Sequence, residues 1–381
     1  MPSICFVAGD PSGDAHAARL MEALRATLPA LQFTGLGGPA MRAAGATLLD
    51  DLTETAAIGP FDAAKHLGRL AAAKRLLDAH LTARRPDLVI LVDFGDYNLP
   101  VIAPLAKRHG LRVLYYVSPQ LWAWGRWRLR YVRRYVDRMV VFFPFEEAWY
   151  RREQIPVTWV GHPLLDAARP SMPREEAMAR FQLNPWRRTV GLLPGSRERE
   201  VDRHLPVLLA SARRIAWHMP GVQFLLPKAP GISSERLRDA VARERLDVHL
   251  ATEGSASDAL QLMEAAIVAS GTATLEAALC EVPMAVVYRT SWPTYWAARL
   301  VVRVPHIALV NVVAGREVVP EFVQRRAHPE RIAAAVVALL RDEERAGAMR
   351  AQLREVNARL GPPGAVERAA AAVLEMLLHQ R

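Results

Sequence analysis

The stretches ICFVAGDPSGDAHAARL (residues 4–20) and TVGLLPGSREREV (residues 189–201) decide the architecture. Each is an apolar run that breaks into Gly, Ser and Pro and then turns straight into a helical pattern. A strand that ends this way leaves backbone N–H groups at a helix start free to hold an anion. The two stretches lie about half the chain apart, and each opens its own alternation of strands and helices. In the first half, strand patterns fall at 4–8, 33–36, 88–92, 112–117, 138–142 and 158–160, with helical patterns at 15–27, 63–83 and 100–109. The second half restarts with strands at 189–193, 222–226, 248–251, 265–269 and 284–288. Such alternation predicts parallel sheets with helices on both faces. The expectation is twin α/β domains facing a cleft, an arrangement suited to an enzyme that holds two substrates.

The chain of 381 residues is long enough for two domains. With 51% hydrophobic and 23% charged residues it is globular in composition. Its apolar runs are strand-sized, far short of the roughly 20 residues of a membrane span. No signal peptide is visible, and Cys5 and Cys280 read as unpaired thiols of a cytoplasmic protein. The Pro-, Ala- and Arg-rich segment 167–185 separates the halves, with a hinge expected near 163–174. From Pro329 onward the pattern is helical, broken at Gly361-Pro362-Pro363-Gly364. The net charge of +10 favours anionic partners. Much of it gathers in GRWRLRYVRRYVDR (125–138), a run that fits a solvated helix face, a phosphate or lipid contact, or RNA.

The second loop carries the stronger chemical signal. LLPGSRERE places Gly195 and Ser196 at the strand end and Arg197 and Arg199 in the first helical turn. Cations there oppose the helix dipole, so stability alone does not select them. A phosphate at that end does, because Arg forks onto its oxygens while backbone N–H groups donate too. In VASGTATLEAAL (268–279) a buried strand ends at Ser270-Gly271, Thr272 or Thr274 can cap the next helix, and Glu276 follows in its first turns. A carboxylate there can accept both hydroxyls of a ribose. The pair describes a nucleoside diphosphate, with Arg on the phosphates and Glu on the sugar. In the first half, LVILVDFGDYN puts Asp93 and Asp96 at a strand's C-terminal end, where open α/β sheets bind substrates. Either carboxylate could serve as the general base that sugar transfer to a hydroxyl requires. YYVSPQLWAW (115–124) ends the next strand with Ser118, Trp122 and Trp124 in one loop. No Walker loop, HExxH, paired CxxC or GxSxG is present, and the 11 His residues lack ligand spacing, so neither a metal nor a cofactor is expected.

Together these segments resemble the lipid-A-disaccharide synthases, inverting glycosyltransferases of Gram-negative outer-membrane biosynthesis. The resemblance rests on AGDPSGD (8–14), GGPAM (37–41), YYVSPQLWAW, FFPFE (142–146), VGHPL (160–164), LLPGSR, SGTATLE and NVVAGREVVPEFVQ (311–324). It spans nearly the whole chain in the family's order; the family commonly has Glu where this chain has Asp10. It implies a GT-B fold, with an acceptor-binding domain at 1–166, a UDP-sugar-binding domain at 167–360 and a terminal helix, 361–381, crossing back to the first domain. It implies the substrates UDP-2,3-diacylglucosamine and 2,3-diacylglucosamine 1-phosphate (lipid X). It assigns Asp93 as base, Arg197 to the leaving diphosphate, and Asp10, Ser12 and Gly13 to the loop facing the reacting centre. Glu276, Asn311, Glu321 and Gln324 would line the nucleotide-sugar side. Acylated substrates imply work at the inner face of the cytoplasmic membrane and no nucleic acid partner. Segment 58–81 offers Ile58, Phe61, Leu67 and Leu70 as an apolar edge, with Lys65, Arg69, Lys74 and Arg75 for head groups. Rival readings are another GT-B UDP-sugar enzyme, such as the peptidoglycan N-acetylglucosaminyltransferase or an epimerase, and an RNA-binding protein. The sequence leaves open whether the terminal helix packs on its own chain or exchanges within a homodimer.

Overall fold

A computed structural model describes residues 1–53, 63–302 and 304–378. It divides into two compact units, Met1–Pro163 with Gly361–Arg381, and Leu164–Leu360. In the first unit, seven strands run β1 (Ser3–Ala8), β2 (Gln32–Gly37), β3 (Thr47–Asp51), β4 (Leu88–Val92), β5 (Val113–Tyr116), β6 (Arg138–Val141) and β7 (Val157–Trp159). They pair in the order β3-β2-β1-β4-β5-β6-β7, all parallel, with Ile4 opposite Phe33 and Ala8 opposite Val92. Apart from Ser3, the central strands are runs of buried residues, as a sheet covered on both faces requires.

The second unit has six strands: β8 (Thr189–Leu193), β9 (Gln223–Pro227), β10 (Val248–Ala251), β11 (Ala265–Ala269), β12 (Met284–Tyr288) and β13 (Glu321–Val323). They pair in parallel in the order β10-β9-β8-β11-β12-β13. In each sheet the strand order reverses once, between β1 and β4 in the first and between β8 and β11 in the second. Open α/β sheets bind ligands in the crevice at such a reversal.

Two strands escape a reading of the sequence. β3 (TLLDD) and β13 (EFV) are short edge strands, half-exposed and without a run of apolar residues. The helical pattern expected at 100–109 is a helix only from Ala103 to Arg108, and Asn98–Ile102 forms a wider π-type turn before it. The terminal helix, Ala365–Leu378, packs on the Pro11–Thr27 helix of the first unit. Arg368 Nε donates to the Val160 carbonyl at 2.9 Å, and Arg138 pairs with Glu375 at 2.5 Å.

Candidate active site

The first unit's loops meet at the β1/β4 reversal. Asp10 caps the Pro11–Thr27 helix, its Oδ1 accepting from Gly13 N at 2.8 Å. Ser12 is exposed in the first turn of that helix. The next loop over, after β4, packs directly on this one. A Cβ on Gly9 would lie 2.1 Å from the Phe94 ring, so only glycine lets the two loops close together. Asp14 is buried and binds the third loop, accepting from Gly38 N (2.8 Å), Ala40 N (2.8 Å) and Met41 N (3.1 Å). It thus supplies the cap that Gly38 cannot give the Pro39–Ala43 helix.

Asp93 stands at the end of β4 in the left-handed region, φ +45°, and Phe94 follows at +49°. Two consecutive non-glycine residues there cost roughly 1–2 kcal/mol each and persist only where the surroundings hold them. Asn98, fully buried, donates to the Asp93 carbonyl at 2.9 Å, and the Tyr115 hydroxyl donates to the same oxygen. Asp93 N donates to the Tyr116 carbonyl at 3.1 Å. Asp96 is tied differently: its carboxylate takes the Arg128 guanidinium, a buried group that also lies 4.1 Å from the Trp124 ring centre.

The Ser118–Trp124 loop is fastened from beneath. Ser118 Oγ bonds the Tyr150 hydroxyl at 2.8 Å, and Trp122 Nε1 donates to Glu146 at 3.2 Å. Trp122 packs edge-on against Phe145, so it forms a wall. Burial pushes the Glu146 carboxyl up from 4.5 to about 7, against the lowering effect of its bonds from Phe143 N and Trp122. Between those two values the folded chain binds more protons than the unfolded one, so stability falls as pH rises through the window. The full cost, about 3 kcal/mol, is present above pH 7. Glu146→Gln is expected to remove that fall in urea unfolding between pH 5 and 8. An unchanged pH dependence in the variant would clear Glu146 of the effect.

Beside this loop, His16 and His162 sit against Phe142 at 5.3 and 5.5 Å between ring centres. Burial holds His16 down to about 4 and His162 to about 3, so both are neutral at physiological pH.

The second unit presents its loops at the β8/β11 reversal. Gly195, at φ +118°, lets the chain turn so tightly that a Cβ would lie 2.7 Å from Glu200. Arg197 occupies the N-cap position of the Glu198–His218 helix, with no capping hydrogen bond from its side chain, and is largely exposed. Glu200 reaches back to accept from Ser196 N (3.0 Å), Arg197 N (3.3 Å) and Arg197 Nη1 (3.1 Å). Its carboxylate therefore stands where an anion would be held. His204, lower on the same helix, donates from Nδ1 to the Pro194 carbonyl and accepts at Nε2 from Arg289 N, both at 3.0 Å. It ties the β8 loop to the β12 loop.

After β11, Gly271 and Thr272 open the Ala273–Leu279 helix, and Thr274 Oγ1 donates to the Gly271 carbonyl at 2.8 Å. Glu276 is half-buried, its carboxylate has no hydrogen-bond partner among the described residues, and burial shifts that carboxyl upward. The remaining three assignments on this side differ. Asn311 is wholly buried, accepting from Val318 N and Val319 N while donating to the Val319 carbonyl and Glu321. Glu321 also accepts from Ile307 N and Ala308 N. Gln324 is clasped to the Thr290 backbone through both its amide atoms. These side chains shape the loops around β12 and β13, with their polar atoms engaged by the protein.

Part of the charge of the Arg126–Arg138 run is matched by carboxylates of the first unit. Arg126 and Arg133 pair with Glu153, Arg138 pairs with Glu375, and Arg130 and Arg134 lie over Tyr131 and Tyr135. Of the expected docking segment, Ile58, Phe61 and the Lys65 side chain lie outside the described residues. Leu67 is exposed, but Leu70 turns inward onto the core, because 70, 73, 77 and 81 share the buried stripe of the Ala63–Arg84 helix. Arg69 is likewise held by the Asp51 carbonyl. Among the described residues no helix is long and apolar enough to cross a membrane, and no three His, Cys, Asp or Glu side chains gather to hold a metal ion.

Two parallel sheets, each with its polar loops at the strand-order reversal, define the fold of GT-B glycosyltransferases and related UDP-sugar epimerases. Solved structures share it: a calicheamicin glycosyltransferase (TM-score 0.65, 16% identity, covering 100% of this chain and 99% of that one) and a Neisseria meningitidis UDP-GlcNAc 2-epimerase bound to UDP-GlcNAc (0.62, 14%, 100% of both). Sequence comparison is more specific. Residues 4–375 match the family described as lipid-A-disaccharide synthetase. Lipid-A-disaccharide synthases of Geobacter sulfurreducens and Syntrophus aciditrophicus are 45% and 42% identical, each over 98% of this chain and 97% of the relative. The chain belongs to the lipid-A-disaccharide synthase family, glycosyltransferases of lipid A biosynthesis.

Proposed function

We propose that the enzyme transfers 2,3-diacylglucosamine from UDP-2,3-diacylglucosamine to the 6-hydroxyl of 2,3-diacylglucosamine 1-phosphate, with inversion and without a metal ion. The products are the β-1,6-linked disaccharide 1-phosphate and UDP. One observation carries this reading: the candidate residues follow the strands that flank the two strand-order reversals, Asp10 and Asp93 after β1 and β4 in one unit, Arg197 after β8 and Glu276 in the short helix after β11 in the other. The first unit holds the acceptor and the second the UDP-sugar. Asp93 takes the proton of the acceptor hydroxyl as its oxygen attacks the donor's anomeric carbon. The bond from that carbon to the β-phosphate breaks, and the electron pair leaves with UDP. Arg197 and the backbone N–H groups after Gly195 stabilise the charge that develops there. Glu276, whose carboxylate has no hydrogen-bond partner among the described residues, accepts the ribose hydroxyls.

Asp93 is favoured over Asp96 because it directly follows the last residue of β4, with its carbonyl held by Asn98 and Tyr115. The acyl chains of both substrates place the reaction at the inner face of the cytoplasmic membrane. The test is mass spectrometry of products from acylated and plain UDP-glucosamine with an acylated sugar phosphate, with and without EDTA. Disaccharide phosphate and UDP should form only from the acylated donor, at the same rate in chelator. Equal turnover of the plain donor would overturn the lipid specificity. Loss in EDTA restored by magnesium would overturn the metal-free mechanism.

A further inference from the structure

The Trp292–Val301 helix, WPTYWAARLV, leads out of the loop after β12. Three of its large apolar side chains face solvent: Trp292 is 46% exposed, Trp296 60% and Leu300 88%. At i, i+4 and i+8 they fall within an arc of roughly 80° and form one stripe along the helix. Exposed apolar residues standing singly, as Trp186 and Trp217 do, are ordinary on a protein surface. A row of two tryptophans and a leucine on one helical face needs an occupant.

The charge around the stripe indicates which. At the start of the helix, Arg203, Arg289 and Arg325 line a cavity of about 450 Å³ together with Thr290, Ser291, Trp292 and Gln324. Arg289 donates to the Ala327 carbonyl at 2.6 Å, and Arg325 lies over the Trp292 ring, 5.1 Å from its centre. Among the described residues, none of these three guanidiniums has a carboxylate within salt-bridge distance, unlike the paired arginines of the 126–138 run. Arg299 lies along the stripe itself and reaches the Tyr295 hydroxyl at 3.3 Å. A second copy of the chain docking through this face about a two-fold axis would bring these cations against their own counterparts. An anionic bilayer offers the opposite: phosphates for the arginines and an apolar interior for the stripe. Tryptophan is also the residue that settles at the boundary between acyl chains and head groups.

We propose that the Trp292–Val301 helix is a membrane-docking element of the second unit. Its Trp292–Trp296–Leu300 face enters the acyl boundary, and the Arg203/Arg289/Arg325 cavity receives the phosphate of an anionic lipid. The proposal builds on the membrane setting of the reaction proposed above, but its readout is lipid binding rather than turnover. The full chain is co-sedimented with vesicles of phosphatidylglycerol and phosphatidylethanolamine, and with vesicles of phosphatidylcholine alone. The variants are Trp296→Ser/Leu300→Ser and Arg203→Gln/Arg325→Gln, each checked for folding by circular dichroism.

The apolar variant should lose vesicle binding ~10-fold or more on both lipids, while turnover of detergent-dispersed substrates stays within ~2-fold. The arginine variant should lose binding only to the anionic vesicles, and the parent's binding to them should fall as salt rises. Unchanged vesicle binding by the apolar variant would overturn the proposal, whatever its activity. Loss of turnover on detergent-dispersed substrates with vesicle binding intact would assign the surface to the substrate site and equally overturn it. A concentration-dependent dimer that the apolar variant abolishes, with lipid binding unaltered, would seat a second copy there instead.

Discussion

Asp93→Asn is expected to lower turnover ~10²–10⁴-fold while leaving UDP affinity within ~2-fold. The substitution keeps the shape of the side chain and removes its capacity to accept a proton. The backbone around it is fixed by groups that do not depend on the carboxylate: Asn98 and Tyr115 on its carbonyl, Tyr116 on its N–H. Asn also tolerates the left-handed conformation that Asp93 adopts at φ +45°, so the loop should survive the change. A paired Asn98→Ala variant separates chemistry from positioning. It should lose activity and melt at lower temperature, because an unsupported Asp93–Phe94 turn has no reason to remain strained. Steady-state rates with acylated substrates, read beside UDP titration calorimetry, check both. Near-normal turnover of Asp93→Asn would remove Asp93 from the mechanism and return the role to Asp96.

Much of this architecture is legible in the sequence because the strands that matter are central. β1, β4, β8 and β11 are apolar runs followed directly by Gly, Asp, Pro-Gly and Ser, and both sheets reverse their order beside them. The edge strands β3 and β13 carry no such run, since one face of each meets solvent or a single neighbour. The candidate site divides in the same way. Arg197, Glu276 and Asp93 stand at element ends, where local pattern alone singles them out. Asp14, Asn98, Glu146 and His204 act through partners brought together only by the fold. Asn98 also reaches the Val7 carbonyl, 91 residues away, and His204 holds Arg289, 85 away. Asn311 and Glu321 show the converse: a polar pair inside a recognised motif whose hydrogen bonds fold the motif itself. Sequence gives no means to separate a side chain that meets a ligand from one that builds the loop around it.

Arg197→Ala is expected to slow transfer ~10²–10³-fold and to weaken UDP binding, matching the loss of about 3–4 kcal/mol from one preorganised donor at a leaving group. The geometry explains why so exposed a residue should matter so much. Gly195 turns the chain so that Ser196 N and Arg197 N point the same way as the Arg197 guanidinium, and all three converge on the Glu200 carboxylate. Glu200 satisfies donors that would otherwise face water, and it gives the Glu198–His218 helix the negative charge its N-terminus favours. A diphosphate offers the same donors more charge and more oxygens, so binding exchanges one carboxylate for a better acceptor. Arg197→Lys should recover only part of the loss, because an ammonium restores the charge without the two-pronged geometry. Glu200→Gln tests the exchange itself. With the competing charge removed, UDP should bind at least as tightly as in the parent, even though the helix start loses part of its cap. Calorimetric titration of the three variants with UDP orders them as Glu200→Gln, Arg197→Lys, Arg197→Ala. An Arg197→Ala enzyme within ~3-fold of parental turnover would move the phosphate contact away from this loop.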